Sequence, residues 1–293
     1  MSEIKILEKL VLDVPYEKFD CKRDDKKATL TIYDGDFDDN CPAVIVCPGG
    51  AYFFLCDREG APIAEAFAKA GIRPFLLEYS VLPNKFPAAL MELSEAVCIL
   101  KNNAEKFGIN KDKVFVSGSS AGGHLAASLA VLWNKPFLSE ALDVNMNILK
   151  PAGVILSYPV ITSGEYTHLD SIVNIVGDET LVGDEARRAS AESSQYYKYT
   201  SLEKMADKDS ARTYIWTTLD DTLVPMENSM LFVQALRNAG VPVEFHLFPF
   251  ADHGLSLATE EISEREDKCD VIPHIGKWFD MAVQWINIVG KYI

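Results

Sequence analysis

The stretch KVFVSGSSAGGHLAASLA, Lys113–Ala130, decides how the rest of the chain is read. An alternating apolar run leads into Ser117, Ser119 and Ser120, and an alanine-rich, helix-like run follows. Three kinds of loop fit such a junction. A phosphate-cradling loop needs G-x-x-x-x-G-K-[ST]. Gly118 and Gly123 have that separation, but His124 and Leu125 stand where the lysine and the hydroxyl residue belong. Gly118, Gly122 and Gly123 also fail to supply the G-x-G-x-x-G of a dinucleotide site. A serine helix cap lacks the carboxylate that completes a capping box, because Gly123 lies three residues after Ser120. A cap also gives no reason for glycines on both sides. The third kind is the tight strand-to-helix elbow G-x-S-x-G, where residues two before and two after the serine crowd together. Only Ser120 has glycine at both positions, Gly118 and Gly122; Ser117 and Ser119 do not. Ser120 is therefore the candidate nucleophile, and Ser119 fills the spacer position.

Strands and helices alternate outward from the elbow. IKILEKLVLDV and KATLTIYD read as two N-terminal strands within residues 1–40, ended by the turn-rich DGDFDDN. PAVIVCP reads as a strand buried on both faces. GAPIAEAFAKAG is a predicted helix stopped by Gly71, and IRPFLLEYS is the next strand. Leu90, Leu93, Val97 and Leu100 recur at helical spacing in the segment after it. AGVILSYPV, ARTYIWTTLD and VPVEFHLFPF are further strands, the last with Val243, Phe245 and Leu247 on one face. NSMLFVQALRNAG and IPHIGKWFDMAVQWINIV are helices. The rhythm implies an α/β fold with a mostly parallel sheet covered on both faces. Residues 1–293 are expected to form one domain. Residues 160–210 lack strong periodicity and read as an insertion over the C-terminal sheet edge, where ligands of such sheets bind.

A serine hydroxyl needs a base to take its proton. On this kind of sheet the order is Ser, then Asp or Glu, then His. Of the five histidines, His124 lies inside the nucleophile helix and reads as structural, and His246 alternates within a strand. His274 opens the last helix, and His168 falls in the insertion, touching either substrate or nothing. His253, in FADHGLS, follows a strand and precedes a glycine, as the base should. The acid should end the preceding strand, where Asp220 and Asp221 lie; Asp221 is preferred because it opens D-x-x-V-P, whose Pro225 helps fix the turn. Donors for an oxyanion are expected from the N–H of Ala121 and from the CPGGAYFF loop, with Gly50 and Ala51 as candidates. Tyr52, Phe53, Tyr158 and Tyr166 are candidate aromatic walls for a sugar or aryl group, and equally candidates for core or lid packing.

Composition narrows the classes. The 48% hydrophobic content allows a large core, and the net charge of −15 disfavours nucleic acid and anionic membrane surfaces as partners. Glu3, Lys5, Glu8 and Lys9 interrupt the N-terminal apolar residues, so no signal peptide is expected. No run approaches the ~18 apolar residues of a membrane span. The six cysteines form no C-x-x-C pair and no zinc-like cluster with histidine, so free thiols in a reducing, cytoplasmic setting are expected, with no metal. The oligomeric state is left open, a homo-oligomer included.

With these residues placed, the chain resembles the α/β-hydrolase superfamily, and within it the acetyl esterase/lipase group that includes acetylxylan-esterase-like and hormone-sensitive-lipase-like proteins. The resemblance is carried by CPGGAYFFLCDREGAPIAEAFAKAGI, by FPAALMELSEAVCILKNNAEKFGINKDKVFVSGSSAGGHLAASLA, by ILSYPVITSGEYTH and by DDTLVPMENSMLFVQALRNAGVPVEFHLFPFADHGL, spanning about residues 41–258. It implies an eight-stranded sheet and serine-dependent ester hydrolysis without a cofactor. It puts nucleophile, acid and base on Ser120, Asp221 and His253, and it implies small acyl groups, often acetyl on sugars. Feruloyl esters, aryl formamides, peptides, or binding without catalysis are the competing readings. Three positions depart from the pattern: Cys47 where many relatives have histidine, Ala51 where many have a third glycine, and Asp252 where glycine is common before the final His-Gly.

Overall fold

The continuous apolar strands β3 (Cys41–Cys47) and β5 (Ile109–Ser119) lie side by side at the centre of an eight-stranded sheet. A computed structural model describes residues 4–19, 21–265 and 270–292. The other strands are β1 (Lys5–Val11), β2 (Thr29–Asp34), β4 (Arg73–Glu78), β6 (Val154–Ser157), β7 (Thr213–Thr218) and β8 (Val243–Phe248). Their order is β1-β2-β4-β3-β5-β6-β7-β8. β1 and β2 pair antiparallel, as do β2 and β4; every later pairing is parallel. The eight strands read from the sequence are all present.

Period-2 alternation sorts the central strands between two cores. Cys41, Ala43, Ile45, Val114, Val116, Leu156 and Ile215 face one core with helices α2 (Ala88–Asn102), α3 (Ser120–Leu132) and α7 (Glu227–Asn238). Val44, Val46, Phe115, Ile155, Tyr214 and Trp216 face the other with α1 (Ala61–Lys69) and α9 (Pro273–Val289). Burial on both faces explains why these strands read as unbroken apolar runs. On the edge strand β8, Val243 and Phe245 pack partly buried against the first core, whereas Leu247, further along the strand, is 43% exposed.

The segment 160–210 is more regular than its sequence suggests. It carries α5 (Leu169–Val176) and α6 (Asp184–Glu192), joined to a small cluster of Val160, Ile172, Ala191 and Val224. Short helices α4 (Pro136–Leu142) and α8 (Glu260–Arg265) complete the set. Among the described residues no helix is long and apolar enough to cross a membrane. Among the described residues Cys41, Cys47 and Cys98 are free thiols, and Cys269 lies outside them.

The sheet order reverses at its centre. From β3 the chain crosses to β4 on one side, and next enters the sheet at β5 on the other. The loops leaving β3 and β5 therefore diverge, opening a crevice at the C-terminal edge between them.

Candidate active site

Ser120 stands at this crevice, at the junction of β5 and α3, with φ +53°. A non-glycine residue in that region is strained and persists only where its surroundings hold it. The holding is visible at the flanking glycines. A Cβ on Gly118 would lie 2.1 Å from the carbonyl oxygen of Gly122, and one on Gly122 would lie 2.1 Å from that of Cys47. Neither position has room for a side chain, which is the steric reason for G-x-S-x-G. Ser117 pairs within the sheet against Val46, and Ser119 is the buried residue preceding the helix.

The two distant residues meet Ser120. Nε2 of His253 lies 2.8 Å from Ser120 Oγ, and Nδ1 lies 2.7 Å from Oδ2 of Asp221. A carboxylate only accepts, so Nδ1 carries the ring proton and Nε2 is free to accept from the serine hydroxyl. Oδ1 of the buried Asp221 accepts the backbone N–H groups of Leu223 at 3.1 Å and Val224 at 2.8 Å. Those bonds fix the acid through its own turn. Asp220 is exposed and takes no part in this chain of bonds.

The loop after β3 faces the elbow. Gly50 has φ +119°, Ala51 φ +55° and Tyr52 φ +57°. Among the described residues, the N–H groups of Gly50 and Ala51 have no acceptor, while that of Gly49 donates to Glu59 Oε2 at 2.9 Å. The Ala121 N–H belongs to the first turn of α3, where helix donors lack an intrahelical partner. Such a set of unengaged donors beside an activated hydroxyl can hold the oxygen of a tetrahedral adduct. Among the described residues no group of three or more His, Cys, Asp or Glu could hold a metal ion.

A family model described as BD-FAE matches residues 30–236. The chain belongs to the BD-FAE family. It is 38% identical over 230 residues to endo-1,4-beta-xylanase B of Butyrivibrio fibrisolvens, covering 74% of this chain and 33% of that protein. It is 26% identical over 225 residues to an acetylxylan esterase of Xylanibacter ruminicola, covering 74% of this chain and 42% of that one. The chain thus spans between about a third and a half of the length of the curated relatives it matches. Among solved structures, an acetyl ester-xyloside bifunctional hydrolase from Caldicellulosiruptor lactoaceticus superposes with TM-score 0.74 at 29% identity, over 91% of this chain and 90% of that one. A carboxylesterase from Lactobacillus plantarum superposes with TM-score 0.77 over 99% and 98% of the two chains; at 22% identity it bears on the fold alone. The fold is that of the α/β-hydrolases.

Within this BD-FAE chain, the four aromatic candidates divide. Tyr52 and Tyr158 are buried, each only 2% exposed, as the core-packing alternative has them. The Tyr52 hydroxyl meets His124 Nδ1 at 2.9 Å, and its ring packs edge-on against Tyr79. The Tyr158 hydroxyl donates to Glu59 Oε1 at 2.7 Å, and its ring stands edge-on to His253 with centroids 4.8 Å apart. Burial holds both phenols well above their ordinary pKa. Phe53 is 65% exposed and, with Phe54, lines a surface cavity of about 490 Å³. Tyr166 is half-buried, and its carbonyl accepts from Asn228 Nδ2 at 2.8 Å.

The remaining histidines resolve by burial. His124 is fully buried, its Nε2 3.3 Å from the Thr200 carbonyl; burial drives its pKa down to about 4, so the ring is neutral. His168 precedes α5 with Nδ1 2.8 Å from Ser171 Oγ, and burial, opposed by Asp170 and reinforced by His253, lowers its pKa. His246 bonds Glu244, and His274 packs on Phe248.

Three supporting residues escaped the sequence reading. Asp252 Oδ1 accepts from Thr222 N at 3.1 Å, Thr222 Oγ1 at 3.0 Å and His253 N at 2.9 Å. It therefore ties the loop bearing Asp221 to the loop bearing His253, and those donors, the Thr222 amide foremost, hold its pKa down. The aspartate at this departure from the family pattern is the only signal the sequence offered. Asn174, on α5, donates to the Ala51 carbonyl at 2.8 Å and fastens the insertion to the loop after β3. Glu59 is buried and accepts from the Gly49 N–H and the Tyr158 hydroxyl.

Proposed function

We propose that the chain is a serine carboxylesterase acting on short acyl esters, acetyl foremost, carried on sugars or oligosaccharides. The observation that carries the reading is the unbroken hydrogen-bond chain from Ser120 Oγ through His253 to Asp221, next to open backbone donors. Ser120 Oγ attacks the ester carbonyl carbon while its proton passes to His253 Nε2. Asp221 keeps the imidazole in the required tautomer and stabilises the imidazolium. The N–H groups of Gly50, Ala51 and Ala121 hold the oxyanion. Collapse of the adduct expels the sugar alkoxide, which takes the proton from His253 and leaves an acyl-serine. Water, deprotonated by His253, attacks that ester and releases the carboxylic acid.

The acetyl-sugar substrate is supported by the names of two relatives, the Xylanibacter acetylxylan esterase and the Caldicellulosiruptor acetyl ester-xyloside hydrolase. Phe53, exposed on the loop after β3 that carries the Gly50 and Ala51 donors, offers a flat apolar face of the kind sugars stack on. A panel of acetylated xylo-oligosaccharides, feruloyl esters, acyl p-nitrophenols and N-formylkynurenine, ranked by kcat/KM, tests this. Acetylated sugars should lead among natural esters; a lead for feruloyl esters or the formamide would reject the substrate class while keeping the chemistry. Absence of turnover on every ester would favour a binding protein.

A further inference from the structure

Glu59 lies in the short turn Asp57–Glu59 ahead of α1, is 2% exposed, and makes no ion pair among the described residues. Burying a carboxylate without a counter-charge is costly unless hydrogen bonds replace its water. Both oxygens are engaged, each by a different wall of the crevice. Oε2 accepts the Gly49 N–H at 2.9 Å, and Oε1 accepts the Tyr158 hydroxyl at 2.7 Å. The Tyr158 oxygen accepts in turn from Ser256 N at 2.9 Å, three residues beyond His253. Glu59 also lies close under the elbow. A Cβ on Gly49 would be 2.4 Å from Glu59 Oε2 and 2.9 Å from Ser120 Cβ.

We propose that Glu59 is a positioning residue, aiming the backbone donors after Gly49 at the reacting carbonyl and tuning the Tyr158 ring that backs His253. The inference rests on the esterase reading above. Two effects follow from the geometry. By capturing the Gly49 N–H, the carboxylate turns that peptide away from the crevice, so the next two N–H groups are left to face it. By accepting the Tyr158 proton, it also enriches the phenol ring in electron density. That ring meets the His253 ring at 71°. Added electron density favours a cationic neighbour in either T-shaped arrangement, by strengthening the negative face or by weakening the positive edge. In the proposed mechanism His253 takes the serine proton as the tetrahedral adduct forms, so the contribution appears in the transition state and not in substrate binding.

The test uses the full chain with p-nitrophenyl acetate and a boronic acid that mimics the tetrahedral adduct. Variants are Glu59→Gln, Tyr158→Phe, the double variant, and Ser120→Ala as control. The expected result for Glu59→Gln is a kcat lower by ~10–100-fold, KM within about twofold, and boronate affinity lower by the same factor as kcat. Tyr158→Phe, which keeps the ring, should lower kcat in the same direction. The double variant should be no slower than the slower single one, because both break one connection. Unchanged kcat in both single variants, a loss confined to KM, or additive losses in the double variant would overturn the inference. If Glu59→Gln does not fold, the kcat and boronate affinity of Tyr158→Phe decide it. Full activity in Ser120→Ala would instead overturn the esterase reading itself, whatever the Glu59 variants do.

Discussion

The elbow and the insertion adjoin the same crevice, yet they are held by different means. At the elbow, backbone meets backbone: Gly118 against the Gly122 carbonyl, and Gly122 against that of Cys47. The insertion is fastened by side chains, Asn174 to Ala51 and Asn228 to the carbonyl of Tyr166 among them, together with single backbone bonds from Val160 N to the Ser120 carbonyl and from Phe86 N to that of Ile175, over a cluster of four buried apolar residues. Backbone contact leaves no tolerance, so the elbow's geometry survives only with its glycines. Side-chain contact can be lost singly at modest cost. The region proposed to perform chemistry is thus the inflexible one, and the region proposed to choose the substrate is the adjustable one.

The largest effect should come from the elbow's own serine, the proposed nucleophile. Ser120→Ala is expected to lower kcat on p-nitrophenyl acetate by about 10⁴-fold or more, while the circular dichroism spectrum stays that of the wild type. Asp221→Asn should lose ~10³–10⁴-fold by favouring the wrong imidazole tautomer, read as a fall in kcat with little change in KM. Next comes packing. Gly122→Ala forces a methyl into a carbonyl and should cost at least about 3 kcal/mol in urea unfolding; a cost under 1 kcal/mol would break the contrast drawn above.

An intermediate effect is expected from His124, which links the elbow helix to Thr200 at the end of the insertion. Its folded pKa of about 4 lies below the unfolded value of 6.5, so the unfolded chain takes up the proton first as pH falls. Its contribution is complete above pH 6.5 and is lost progressively toward pH 4, by up to about 3 kcal/mol. Melting temperature measured against pH should fall less steeply over that window in His124→Gln than in wild type. The smallest effect belongs to the insertion's fastening. Asn174→Ala should cost about 1 kcal/mol of stability, with kcat/KM for acetylated sugars lowered more than for p-nitrophenyl acetate. Equal losses on both substrates would mean that the insertion serves the chemistry and not the choice of substrate.

The same contrast explains what could be read from the sequence. Gly118, Ser120 and Gly122 were legible because a backbone clash imposes residue type at fixed spacing. The meeting of Asp221 and His253 with Ser120 was legible because each follows a strand in a fixed order. Tyr52 and Tyr158 were not, since an aromatic residue after a strand suits a cleft wall and a core equally well. Glu59 was hidden more deeply: its partners stand 10 and 99 residues away along the chain. α5 and α6 escaped because each is about two turns long, and α6 is polar over nearly all its surface. Asp252 was noticed as a departure, but its three donors become neighbours only once the acid and base loops fold together.

The Asn174 bond to Ala51 has a bearing on engineering. A new specificity could be introduced by grafting a foreign segment between β6 and β7 without touching the sheet. The carbonyl of Ala51 would then lose its donor, and the residue whose own N–H is a proposed oxyanion donor would lose the bond that fixes its far side. A transplanted segment must therefore bring an amide or equivalent donor to that one oxygen, or the graft will change the substrate and weaken the catalyst together.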